Sequence, residues 1–147
     1  MSRQDFMKLF DSIPEGDAGV IHAHELSDSF YLGKVSGCPF LLIPQNIVYS
    51  IDIDYRLSHI EIYTAKNSKV RALGVEFEAD FVIIQCISDN DIIRRWLLVI
   101  LEIFYYQMID NINHDTFKEL LVSLIDLVRA VDAVPKSTIV GLIGELL

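Results

Sequence analysis

The sequence predicts an α+β fold. A largely antiparallel sheet of five to seven strands fills about residues 19–87, a short helix precedes it, and two long helices and the start of a third follow it. Three observations carry this expectation. Period-two alternation and β-branched apolar runs are confined to the stretch that ends near Ile87. After Ser88 the apolar residues recur every three or four positions instead. Strands clustered first and helices clustered later favour α+β over an alternating parallel architecture.

The first element is an amphipathic helix over Ser2–Phe10. Ser2 and Asp5 have capping-box spacing, and Phe6, Leu9 and Phe10 share one face. Pro14 and Gly16 in "IPEGD" break it. "GVIHAH" then alternates as a strand. "SFYLGKV" and "PFLLIPQ" flank "SGC", which reads as a hairpin turn, and "NIVYSIDI" is a further candidate strand. "SHIEIYTA" places Ile60 and Ile62 on one face and Glu61 and Tyr63 on the other. "KNSK" is expected to be a polar turn, with "VRALGVEFE" returning from it. "DFVIIQCIS" is almost continuously apolar, as a strand covered on both faces would be.

Ser88 and Asp91 fit a second capping box, opening a helix to about Asp110. "NINHD" is a loop. A helix follows over Asp115–Asp132, with Phe117, Leu120, Leu121, Leu124, Leu127, Val128 and Val131 as its buried stripe. "AVPKS" breaks it. In "VPKSTIVGLIGELL" Ser137 can take the N-cap position, and no stop signal precedes Leu147.

With 147 residues, one domain can bury a full core. The chain is 52% hydrophobic and its mean hydropathy is +0.37, so large apolar faces are expected to meet a partner or further chain. The net charge is −9. Residues 1–74 hold 7 basic and 9 acidic side chains, and residues 75–147 hold 5 and 12. The densest basic stretch contributes Lys66, Lys69 and Arg71, too little for the basic stripe that a nucleic-acid surface needs. The N-terminus has no signal core, which points to a cytoplasmic protein. "IIRRWLLVILEIFYYQMI" is interrupted by Arg94, Arg95 and Glu102, so it reads as a helix buried in protein rather than in a membrane.

Cys38 and Cys86 lack metal spacing and read as small apolar residues of reduced strands. His22 and His24 share a strand face and could present two imidazoles to a metal, but no third ligand accompanies them. An exposed pair on an edge strand is the plainer account. Asp52, Asp54 and Glu61 could hold a divalent cation, although "DIDYR" also fits the polar face of a strand and its turn. No G-x-S-x-G, P-loop or G-x-G-x-x-G pattern occurs, and neither does an Asp-X-Lys or Glu-X-Lys. Gly141 and Gly144 are either a close-packing face or tolerated helix glycines.

The order of segments resembles a known family. "FYLGKVSGCPFLLIP", then "DFVIIQCISDNDIIRRWLLVILEIF", a second helix and "STIVGLIGELL" look like the N-terminal region of the bacterial PD-(D/E)XK motif proteins. These are restriction-endonuclease-like proteins associated with restriction–modification and phage defence. "GLIGEL" is similar to the family's GL-x-GEL helix, and by that resemblance alone Glu145 would join a nuclease metal site. The family's later Asp and Glu-X-Lys strands are absent from this chain.

The expected division is an accessory α+β domain over residues 1–133 and the opening helix of a downstream nuclease core over 134–147. The accessory domain would be non-catalytic and need no cofactor, while a full-length nuclease would use Mg²⁺. Its partners would be its own core, a twin, or restriction-system subunits, with DNA met only through the core and no membrane contact. The alternative is a stand-alone homodimeric interaction module. A third reading is an enzyme with a site around His22 and His24.

Overall fold

The computed structural model describes residues 3–16, 19–27, 30–45, 53–110 and 113–132. Within them the expected succession of a helix, a block of strands and two helices is present, while "VRALGVEFE", expected as one strand, is split between the fifth and sixth strands. A helix α1 (Arg3–Ser12) precedes strands β1 (Val20–Ser27), β2 (Phe30–Val35), β3 (Cys38–Pro44), β4 (Asp54–Arg56), β5 (Ile60–Ala72) and β6 (Val75–Cys86). Helices α2 (Asp91–Ile109) and α3 (His114–Asp132) complete the described chain. The mixed α+β class is as expected. The expected helix over 134–147, Glu145 included, lies outside the described residues.

The sheet closes on itself. Its order is β1-β2-β3-β6-β5-β4, and β1 also pairs with β5. Five strands therefore form a small barrel, with β4 attached to the first half of β5. Every pairing is antiparallel except β1 with β5, where Val20, Ile21 and His22 lie beside Lys69, Val70 and Arg71.

A register shift in β5 between Ala65 and Ser68 makes this possible. Asn67 sits there at φ +54°, and its N–H donates to Asp80 Oδ1 at 2.9 Å. Such a bulge bends the strand and strengthens its twist. The first half of β5 thus pairs with β4 and the second half swings to β1.

This corrects the expected turn at "KNSK", which is the bulge inside a continuous strand. The chain turns instead at Leu73 (φ +52°) and Gly74 (φ +75°). Two successive positive φ values match the right-handed twist of a hairpin. "SGC" turns as expected, with Ser36 at φ +52° and Gly37 at +74°.

Alternation divides the strand side chains into two cores. Phe40, Leu42, Val70, Phe81 and Ile83 fill the barrel interior, with Ile21, Ala23 and Tyr31 against them. Leu32, Leu41, Ile43, Ile60, Ile62, Val82 and Ile84 face outward into the larger core with the helices. β6 contributes to both, as its apolar run predicts.

Helix α2 is buried on most sides, and Glu102 lies among its covered residues at 3% exposure. It touches β3, β6, α1 and α3. No helix among the described residues is long and apolar enough to cross a membrane.

Its N-cap is Asn90, whose Oδ1 accepts from the backbone N–H groups of Ile92 and Ile93 at 3.0 and 3.3 Å. The expected Ser88 cap is displaced by two residues. Ser88 Oγ instead accepts from Asn90 N at 3.3 Å. In α3, Phe117, Leu121, Leu124 and Val128 are buried, whereas Leu127 of the expected stripe is 45% exposed.

Candidate functional site

Two surface depressions flank α2. The first is an apolar groove of about 160 Å³ between α2 and α3. Ile100, Ile103 and Phe104 line it from α2, and Leu120, Leu124 and Leu127 from α3. Spacings of three and four put these side chains on facing stripes of the two helices. Ile103 and Leu127, which line it, remain substantially exposed.

The second is a charged cleft of about 220 Å³ where α1, the β2–β3 hairpin and the start of α2 meet. Its charges are stitched together. Arg95 pairs with Asp11 at 3.3 Å, and Lys34 Nζ lies 4.8 Å from the Phe10 ring centroid. Glu15 Oε2 accepts from Gly37 N at 2.9 Å. The Arg94 guanidinium lies against Gly37, where an added Cβ would come within 2.8 Å of it. Arg94 Nε donates to the Ser88 carbonyl at 2.8 Å.

That carbonyl gathers two further donors. Cys38 Sγ is 3.5 Å from Ser88 O and Cys86 Sγ is 3.8 Å from it. The cysteines are therefore neighbours, both free, with Cys86 buried and Cys38 partly exposed. Burial pushes the Cys86 thiol up to about 12; the Ser88 backbone contact and Arg94 oppose that rise, and Cys38 adds to it. Sequence reasoning missed this pair, because 48 positions separate the two residues and no spacing motif links them.

The other candidates resolve differently. His22 and His24 do lie on β1, but His22 pairs across with Lys34 on one side and Arg71 on the other. Cationic neighbours oppose a divalent ion. No group of three or more His, Cys, Asp or Glu that could hold a metal occurs among the described residues.

Asp54 and Glu61 face a cation already in the chain. Arg56 bonds Asp54 Oδ1 at 2.9 Å and Glu61 Oε2 at 2.8 Å. Gln85 Nε2 donates to Glu61 Oε2 at 2.8 Å, and Tyr63 OH donates to Gln85 Oε1 at 3.1 Å. Asp54 and Glu61 thus belong to a cross-strand polar network over β4, β5 and β6. Burial and then Glu61 raise the Tyr63 phenol above its usual range, and Arg56 partly opposes them. Asp52, Gly141, Gly144 and Glu145 lie outside the described residues.

Compared with known proteins, the chain matches no family model, no curated protein and no solved structure.

Proposed function

We propose that this chain is the non-catalytic N-terminal domain of a restriction-type PD-(D/E)XK nuclease-like protein in bacterial DNA restriction or phage defence. Its work is packing and docking, in the cytoplasm, and its partner is the nuclease core that follows it. The observation that supports this reading is the open apolar groove between α2 and α3. α3 is described as far as Asp132, and the sequence after it carries Ile139, Leu142, Ile143 and Leu146 at helical spacing. An apolar stripe of that period suits an apolar groove. Mg²⁺ and DNA belong to the core in this reading, with Glu145 joining its metal site by resemblance.

The second reading is a stand-alone homodimeric interaction module, favoured by the exposure of Ile103 and Leu127 along that groove. Three measurements separate them. The reading frame beyond Leu147 is expected to continue into an Asp and a Glu-X-Lys. The protein it encodes is then expected to cut DNA with Mg²⁺, and Glu145→Ala to lose that activity. By light scattering, the 147-residue chain alone is expected to be monomeric. A frame that stops at Leu147, with a dimer that Leu127→Glu dissociates, would sink the nuclease reading and support the second.

A further inference from the structure

Cys38 opens β3 and Cys86 closes β6. The β3–β6 ladder pairs Phe40 with Gln85, so continuing it by one step sets Cys86 opposite Pro39, next to Cys38. Strands ~4.8 Å apart with a rise of ~3.4 Å place such diagonal neighbours roughly 6 Å apart at Cα. A disulfide spans about 4.4–6.8 Å. Strict alternation would send Cys38 to the barrel interior with Phe40. The tight turn at Ser36–Gly37 precedes it, and Cys38 packs instead on the helix-side core that contains Cys86. Both sulfurs reach the same carbonyl oxygen, that of Ser88.

We propose that Cys38 and Cys86 form an oxidisable dithiol, a redox modification site that closes to an intramolecular disulfide between the start of β3 and the end of β6. The co-reactant is a small disulfide of the glutathione class. Exposure assigns the roles. Cys38 is the partly exposed thiol, beside the charged cleft that Gly37 and Arg94 line. It loses its proton to solvent and attacks one sulfur of the small disulfide; a mixed disulfide forms and one small thiolate leaves. Cys86, 1% exposed, then gives its proton to solvent, and its sulfur attacks Cys38 Sγ to expel the second small thiolate. Two protein thiols are oxidised and one small disulfide is reduced to two thiols.

The test uses the whole chain, folded, in buffers of rising oxidised-to-reduced glutathione ratio, quenched in acid and read by intact mass and peptide mapping. The expected product is a monomer lighter by about 2 Da, with the Cys38 and Cys86 peptides joined and both thiols lost in one transition. Cys38→Ser is expected to leave Cys86 unmodified. A glutathione adduct that stays on Cys38 while Cys86 remains free would overturn the proposal. So would a disulfide between two chains, a cross-link that forms only after unfolding, or no reaction in the most oxidising buffer.

Discussion

A Cβ built on Gly33 would stand 2.7 Å from Cγ2 of Ile21, across the β1–β2 seam inside the barrel. Leu42 Cδ1 would stand 3.1 Å away on the other side. The barrel is narrow enough that β2 has no room for a side chain at this point. Gly33→Ala overpacks the interior and is expected to cost about 1–3 kcal/mol in urea unfolding. Ile21→Ala removes the nearer obstacle. The double variant should therefore cost less than the two single changes added, by roughly 1 kcal/mol. Simple additivity would show that the two side chains do not compete for the same space.

Asn90, rather than Ser88, starts α2. Its Oδ1 satisfies two N–H groups of the first turn, while Ser88 Oγ accepts from Asn90 N, outside that turn. Asn90→Ala is expected to destabilise the protein by about 1 kcal/mol. Ser88→Ala should cost clearly less. Chemical denaturation of both variants checks the order, and the reverse order would return the cap to Ser88.

The Cys86 thiol, pushed up from 9.0 to about 12 mainly by burial, makes stability depend on alkaline pH. Below about pH 9 the thiol is neutral in both folded and unfolded chains, and its contribution is fully present. Between about 9 and 12 the unfolded chain releases this proton and the folded chain does not, so stability falls as pH rises. Tyr31, Tyr63 and Tyr106 are also raised, each chiefly by burial, and act in the same direction. Cys86→Ala should flatten the alkaline loss measured by denaturant melts at successive pH values. In the same experiments, iodoacetamide at pH 8 should label Cys38 in the native protein and Cys86 only after unfolding. Rapid native labelling of Cys86 would contradict its burial.

Much of the secondary structure was legible because its causes are local. Phe6 and Phe10 on one helix face, Ile60 and Ile62 on one strand face, and the unbroken run from Phe81 to Ile84 each announce burial within a few residues. The two turns show where local signals run out. "SGC" contains a glycine where positive φ is needed and was readable. "KNSK" looks like a turn by polarity, yet Asn67 bonds Asp80 on the neighbouring strand and stays within β5. The real turn at Leu73–Gly74 carries an exposed leucine at positive φ, which is an unusual residue there.

The candidate site divides in the same way. Apolar stripes on α2 and α3 follow from periodicity, but the exposure of Leu127 depends on where α3 lies against α2. Asp54 and Glu61 read as carboxylates in a line of text; only strand pairing shows that Arg56 lies between them.

By itself, the sequence determined the α+β class, the succession of helix, strand block and helices, the sheet-to-helix change at Ser88 and the burial of α2. These rest on side-chain period and capping chemistry, which act within a turn or a strand. Tertiary structure alone decided that β1 joins β5 in parallel to close a barrel, that Gly33 has no space, and that Cys38 and Cys86 share one carbonyl. Those facts depend on register between segments far apart in the chain, and pairing register is set by the whole set of buried faces together.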